Sequence, residues 1–266
     1  QKLGQNQLKD NAGFQSALAK ISPQLEYDKL FAGKIKNRKV VLGYFLTDQQ
    51  QKNTAGMLPP PVFPVGTFKD YPVAFARFNG YGANLPELQQ AAASAGHLYP
   101  IIDRDGEVRR VPMLVEYNGA QYESLSLAVV RTLFDQPKIQ ADFAEGDNSE
   151  YANLEWLELG QGNHALKIPV DVDVATLVPY RGEQNSFRYI SLTEVLHDRV
   201  DTAQLKNKIV LVGTTALGLQ DMRNTPVGGV FPGVEVHANL IAGILDQNLK
   251  HQPKYMLGVE VLWLLL

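Results

Sequence analysis

The sequence predicts a single α/β domain in which a mixed, largely parallel central sheet is flanked by helices and carries inserted β-hairpins. Two observations predict this class. Short apolar segments rich in β-branched residues alternate along the chain with segments whose apolar residues recur every three or four positions. An Asp-Gly pair stands between two strand-like segments, where a hairpin turn requires a positive φ. A chain of 266 residues suits one large domain, and no break in composition divides it.

The first third of the chain predicts two helices and one buried strand. Asp10 precedes a helical pattern with Phe14 and Ile21 on one face. The apolar segment 39–46 (KVVLGYFL) is β-branched at its start and predicts the strand. Asn84, with a glutamate three residues later, is expected to cap the second helix.

The middle of the chain predicts two hairpins and a helix. Segments 98–102 and 108–117 flank the turn Asp103-Arg104-Asp105-Gly106, in which the glycine supplies the positive φ. A helix is predicted from about 124 to 134. A second hairpin is expected across residues 160–163, which contain two glycines.

The last third contains the segment that most suggests a ligand site. Residues 208–213 (KIVLVG) predict the clearest buried strand of the chain, and a loop with glycines and hydroxyl side chains follows over 214–229. Open α/β sheets bind ligands beyond the carboxyl ends of such strands, where backbone N–H groups hold anions. Pro232 then opens a helix that runs to about Gln247. The candidate ligand-binding or switch residues are Thr214, Thr215, Asp221, Thr225, Glu235 and His237.

These candidates also have plainer interpretations. Asp221 and Thr225 are expected to tie down their own loop by bonding its backbone, and the residue pattern favours this interpretation. Glu235 and His237 are two residues apart, so on a helix they point about 200° apart and cannot share one metal ion. His237 lies beside the apolar stripe of its helix. This position is more typical of a hydrogen-bonded core histidine than of a metal ligand. A pair of His237 with Asp221 is the alternative, because the loop leads directly into the helix.

Composition and missing motifs exclude several functions. The net charge of −3 does not point to a nucleic-acid-binding protein, which would usually be basic or carry a basic stripe. The absence of cysteine excludes thiol catalysis, disulfides and cysteine-ligated zinc. The sequence contains no phosphate-binding glycine motif, no nucleophile-elbow serine motif and no helical zinc motif. Asp103 and Asp105 are spaced like the first calcium ligands of a binding loop, but Gly106 comes too early, so a hairpin turn explains them. No catalytic residue, metal or cofactor is therefore predicted.

Three blocks of the sequence share motifs with a known family. Residues 208–245 carry a strand, a G-x-x-x-x-G-L-x-D loop, a Thr-Pro pair and a P-G-V-E-x-H-A helix start. Residues 96–134 carry a D-x-D-G turn, the step Arg109-Arg110-Val111-Pro112 and a Ser-Leu helix start, and residues 190–196 form the third block. With gaps over roughly residues 10–250, the chain resembles the second type of CHASE domain, the extracellular sensor associated with cyclases and histidine kinases.

The resemblance implies a sensor outside the cytoplasmic membrane, held between membrane spans and joined to an intracellular output domain. We expect this chain to be the extracytoplasmic sensor of a bacterial transmembrane signalling enzyme and to be catalytically inert itself. An adenylate or guanylate cyclase is the favoured output, and a histidine kinase, a Ser/Thr kinase or a cyclic-di-GMP enzyme is the alternative. The expected partners are an unknown small-molecule or protein signal, the membrane and a second copy in a homodimer. The expected location is the cell membrane, with the domain in the periplasm or extracellular space.

The two ends of the chain are interpreted within this scheme. Residues 1–255 are expected to form the sensor domain, and residues 256–266, apolar apart from Glu260, are expected to begin a membrane span, which needs about 20 residues in all. The family's usual opening strand and W-P-W-x-R-like segment are absent before Asp10. Either the N-terminal part is truncated or this member diverges, and a missing strand would leave an unfilled sheet edge.

Two rival hypotheses come from other classes. The first is an α/β hydrolase or transferase that uses Asp221 and His237 at the carboxyl edge of the sheet, which requires the two side chains to lie close together. The second is a structural module that dimerises a signalling enzyme without sensing a ligand.

Overall fold

The computed structural model describes residues 11–48, 53–143, 154–160, 162, 165–215, 221–251 and 256–265. Asp10, expected at the start of the first helix, lies outside the described residues. The described helices are α1 (Ala12–Leu25), α2 (Tyr27–Ile35), α3 (Pro86–Ala91), α4 (Leu125–Leu133), α5 (Leu192–Leu196), α6 (Gly233–Leu245) and α7 (Met256–Leu265).

Short polar side chains begin several of these helices. The Asn11 side chain accepts a hydrogen bond from the N–H of Phe14 at the start of α1. Ser124 does the same for Leu127 in α4, so these caps satisfy N–H groups that a helix leaves unpaired in its first turn. The expected cap at Asn84 is wrong, because the helix begins one residue later, with Leu85 at the cap position and a proline in the first turn.

The strands form several small mixed sheets, which confirms the α/β class. The described strands are β1 (Val41–Thr47), β2 (Thr54–Ala55), β3 (Ala76–Phe78), β4 (Gly80–Gly82), β5 (Ser94–His97), β6 (Ile101–Ile102), β7 (Val108–Pro112), β8 (Leu114–Tyr117), β9 (Ala120–Glu123), β10 (Ile139–Phe143), β11 (Leu154–Leu159), β12 (Leu166–Pro169), β13 (Ala175–Leu177), β14 (Met222–Thr225) and β15 (Gly228–Pro232). Their orders are β2-β4-β1-β5, β3-β8-β9, β13-β7-β6, β10-β11-β12 and β14-β15. Strand pairing is thus divided among several sheets, and most of the described pairs are antiparallel, so the described strands do not form the largely parallel central sheet that the sequence predicted.

The predicted hairpins are present. Gly106 has a φ of 86° in the turn between β6 and β7. Asn118 and Gly119 have φ values of 50° and 79° in the turn from β8 to β9, a strand that the sequence did not predict before the helix. Strands β11 and β12, on either side of residues 160–163, pair in an antiparallel register. The pairs β6–β7 and β11–β12 were therefore predicted correctly.

The prediction of a buried strand at 208–213 is wrong. The segment forms no strand, and none of the described strands pairs with it. Ile209 and Val210 are exposed, and Val212 is 83% exposed. The apolar, β-branched composition predicted burial, but burial of a strand also needs a pairing partner that is distant in sequence.

The main apolar core brings α4 and α6 together. Leu127 and Val130 of α4 are fully buried, and so are Leu240 and Ile244 of α6. A second cluster, centred on Tyr44, fills the space beside β1, β5 and β8. Strand β5 lies parallel to β1 and reaches the first residues of α4 at its carboxyl end. Three elements, β5, α4 and α6, therefore converge at one place.

Candidate functional site

The candidate residues in the loop before α6 are spread over the surface and one hairpin. Thr214 and Thr215 are exposed and follow the segment 208–213 directly. Thr225 is buried in β14, where its Oγ1 donates to the carbonyl oxygen of Gly228 at 3.0 Å. Thr225 therefore fixes the β14–β15 hairpin, in keeping with the plainer interpretation of this residue.

Glu235 is buried and holds a neighbouring loop against the first turn of α6. Its carboxylate accepts hydrogen bonds from the backbone N–H of Asn185 at 3.2 Å, the backbone N–H of Phe187 at 3.4 Å and the hydroxyl of Tyr189 at 2.6 Å. Burial and the bond to Glu235 raise the pKa of Tyr189 above its usual range, so this hydroxyl stays protonated and donates. Glu235 is a tether between the loop 185–189 and α6.

His237 is the hydrogen-bonded core histidine that the sequence predicts. Its Nδ1 lies 2.8 Å from the Oγ of Ser126, and both side chains are buried. Burial, followed by the positive charge of Arg223, lowers the pKa of His237 to about 4. The ring is therefore neutral at neutral pH, and its bond to Ser126 joins α6 to the first turn of α4.

His97, at the end of β5, is a residue that sequence reasoning missed. Its side chain is fully buried, and its Nδ1 accepts a hydrogen bond from the backbone N–H of Tyr99 at 3.3 Å. The neutral ring then carries its proton on Nε2, and this atom has no hydrogen-bond partner in the described part of the chain. Burial lowers the pKa of His97 to about 3, with a smaller contribution from His237. An unpaired buried donor costs about 1–3 kcal/mol.

A second buried polar group lies under α4. The NH1 of Arg131 donates to Oε1 of Glu123 at 2.6 Å, whereas Oε2 of Glu123 and the hydroxyl of Tyr44 have no partner among the described residues. Burial, followed by the charge of Glu123, raises the pKa of Tyr44 far above its usual range. The sequence did not predict this group either, because the residues around each member give no indication of its distant contacts.

Asp221 and His237 do not form the acid–base pair of the hydrolase hypothesis. No hydrogen bond joins them within the described chain; the Oδ1 of Asp221 instead lies 3.6 Å from NH2 of Arg223. The backbone oxygen of Asp221 accepts from the N–H of Gly233 at 2.8 Å, which holds the loop at the start of α6. Burial raises the pKa of Asp221, and Arg223 opposes the rise. The geometry gives the hydrolase hypothesis no support.

Asp103 and Asp105 act as hairpin residues, as predicted. The NH1 of Arg109 donates to both, at 3.0 and 2.9 Å, and the NH2 of Arg110 donates to Asp103 at 3.1 Å. Each carboxyl pKa is lowered, first of all by its bond to Arg109. In the described ranges, no cluster of three or more histidine and carboxylate residues is placed to hold a metal ion.

The fold and these contacts define an α/β domain with a buried polar junction, formed by His97 of β5, Ser126 of α4 and His237 of α6. The chain belongs to the CHASE2 domain family, whose model matches residues 5–266. CHASE2 is a family of extracellular sensor domains found in signalling proteins, so this chain is a sensory and not a catalytic domain. Among curated proteins and solved structures, nothing matches the chain. Within the described residues, none of the helices has the length and apolar character needed to cross a bilayer.

Proposed function

We propose that this domain is the extracytoplasmic sensor of a bacterial transmembrane signalling enzyme, with an adenylate or guanylate cyclase as its intracellular output. Membership of an extracellular sensor family supports this assignment. The observation that carries the mechanism is the hydrogen bond between Ser126 and His237, because it joins α4 to the helix that precedes α7. A histidine kinase, a Ser/Thr kinase or a cyclic-di-GMP enzyme is the alternative output.

The transmitting element in this proposal is α6. Its start is bound to the loop 185–189 through Glu235, and its centre is bound through Asn239, whose Oδ1 accepts from the N–H of Arg181 at 3.0 Å. Just beyond its end, Asp246 forms an ion pair with the Arg181 side chain. These contacts fix α6 at several points, so a signal that changes one of them alters the balance between two placements of the helix.

The signal then passes from α6 to α7. From residue 259 to 265 the side chains of α7 are exposed, and all are apolar except Glu260. We propose that α7 begins a membrane span, that the domain lies in the periplasm or extracellular space, and that the full protein acts as a homodimer. A ligand or protein signal shifts the two placements only if it binds one of them more tightly.

The proposal is tested in the full-length protein by replacing Ser126 with alanine. Cyclic nucleotide production is measured in cells, with Ser16→Ala as a matched control on the exposed face of α1. We expect Ser126→Ala to change basal output at equal protein abundance and Ser16→Ala to leave it unchanged. Equal outputs from Ser126→Ala, Ser16→Ala and the parent protein would contradict transmission through this bond. Phosphotransfer or cyclic-di-GMP turnover in place of cyclic nucleotide production would identify the alternative outputs.

A further inference from the structure

The buried polar junction lies at the N-terminus of α4, and α6 reaches it through His237 in its second turn. Helix α4 begins beside His97, since residues 97 and 124 form an isolated parallel bridge and an added Cβ on Gly96 would lie 2.5 Å from the backbone nitrogen of Leu125. Helix α6 is fastened to the same turn through the 2.8 Å contact between Ser126 and His237. The N-terminus of α4 carries partial positive charge, so this place favours a negative guest.

The junction also contains a buried donor without an acceptor. His97 is fully buried, its Nδ1 is occupied by the N–H of Tyr99, and its Nε2–H has no partner in the described ranges. This observation is independent of the helix terminus, because it concerns a side chain of β5. A buried donor of this kind is normally satisfied by something bound to the protein.

The charges around the junction favour an acceptor with negative charge. When the Ser126 hydroxyl donates to Nδ1 of His237, the second imidazole also carries its proton on Nε2. The guanidinium of Arg223 acts on His237 from β14. Of the nearby carboxylates, Glu235 accepts from the loop 185–189, and Glu123 accepts from Arg131 through Oε1, whereas Oε2 of Glu123 has no partner among the described residues.

We propose that the junction of β5, α4 and α6 binds a small oxyanion, a carboxylate or a phosphate, which accepts a hydrogen bond from Nε2–H of His97. An oxyanion has several acceptor oxygens, so the same guest also accepts from His237. The bound anion bridges the end of β5 to α6, and it therefore favours one placement of α6 over another. The proposal names the ligand class of the sensor and rests on the proposed function for its signalling role.

The first test observes the imidazoles directly in the 266-residue chain. Long-range ¹H–¹⁵N spectra are recorded during titration with sodium acetate and, separately, inorganic phosphate, each compared with chloride at equal ionic strength. We expect saturable shifts at His97 and His237, while the exposed His197 and His251 serve as internal references. Saturation by acetate alone identifies a carboxylate site, and saturation by phosphate alone identifies a phosphate site. No saturable shift at His97 with either anion would overturn the proposal.

The second test removes the donor. His97→Phe keeps an aromatic ring in the buried position without an N–H, and His197→Phe is the matched control at an exposed histidine. We expect the anion that binds the parent chain to raise its Tm, and we expect His97→Phe to weaken this response at least tenfold in anion concentration. His197→Phe should respond like the parent. An unchanged response in a folded His97→Phe chain would place the anion elsewhere and overturn the proposal, and if that variant does not fold, the spectra of the parent chain decide.

The two proposals fail separately. If an anion binds at His97 but enzyme output in the full-length protein ignores it, the binding site stands and the sensor role of the anion fails. If output depends on Ser126 but no anion binds the chain, this inference fails and transmission through α6 stands.

Discussion

Glu123 and Arg131 form an ion pair between β9 and α4 that is almost wholly removed from solvent. NH1 of Arg131 lies 2.6 Å from Oε1 of Glu123, and the two side chains are 13% and 5% exposed, respectively. Burial nevertheless raises the pKa of Glu123, because desolvation opposes its charge more strongly than Arg131 supports it. The pair is therefore costly to form and more costly to break.

Removing one partner of this pair should destabilise the domain strongly. We expect Glu123→Ala to lower the free energy of unfolding by about 3–5 kcal/mol, because it leaves the Arg131 charge buried and uncompensated. The matched control is Glu194→Ala, which removes an exposed partner of Arg199 and should cost at most about 1 kcal/mol. Urea unfolding measures both, and similar losses in the two variants would contradict the assigned burial.

Acid should destabilise the domain through its two buried histidines. The pKa of His237 falls from 6.5 to about 4 on folding, so between these values the unfolded chain binds more protons than the folded one. Stability is therefore fully present above about pH 6.5 and is lost as the pH falls toward 4, by on the order of 3 kcal/mol for His237 alone.

The histidine origin of this pH dependence can be checked by substitution. His97→Phe combined with His237→Phe should flatten the curve of unfolding free energy between pH 6.5 and 4, measured by urea titration in chloride buffers. His197→Phe removes an exposed histidine and should keep the parent slope. If the unfolding free energy of the double variant depends on pH as steeply as that of the parent chain, groups other than these histidines control the acid response.

The close approach of β5 to α4 predicts a severe effect of one methyl group. An added Cβ on Gly96 would lie 2.5 Å from the Leu125 backbone, so Gly96→Ala should cost about 1–3 kcal/mol or more by forcing the backbones apart. Gly229→Ala is the control, because nothing lies within 4 Å of its added Cβ. Thermal unfolding should show a large loss of Tm for the first variant and a small change for the second.

The tether at Glu235 predicts local loosening when its carboxylate is changed. Glu235→Gln replaces an acceptor-only group with one that carries an NH₂, so at least one of the bonds from Asn185, Phe187 and Tyr189 is lost, at about 1–3 kcal/mol. Hydrogen exchange at the Asn185 and Phe187 amides should quicken. Glu183→Gln, an exposed change in the same loop region, should leave these amides unchanged, and equal exchange in both variants would exclude the tether.

The proposed extracytoplasmic location can be read from chemical labelling. The domain contains no cysteine, so Lys206→Cys places a single thiol of this domain at an exposed position. In intact spheroplasts expressing the full-length protein, a membrane-impermeant maleimide should label this thiol. Labelling that appears only after lysis would place the domain in the cytoplasm. Any other cysteine of the full-length protein is replaced by serine beforehand.

Sequence reasoning succeeded where the controlling interactions are local. Gly106 predicted the hairpin between β6 and β7, and Pro232 predicted the start of α6 to within one residue. The prediction failed at 208–213. The apolar composition favoured a strand, but a strand also needs a pairing partner, which composition alone does not reveal. The polar junction could not be predicted for the same reason. Ser126 and His237 are 111 residues apart, and nothing in the sequence around His97 indicates that it lies near them.

The exposed segment 208–213 has a consequence for how the isolated domain behaves at high concentration. An exposed segment with β-branched apolar side chains that pairs with none of the described strands can template growth of intermolecular cross-β structure. Turbidity and thioflavin fluorescence should therefore rise with protein concentration. A lysine in place of Val212, which is 83% exposed, should delay that rise by charge repulsion between copies while leaving the fold intact.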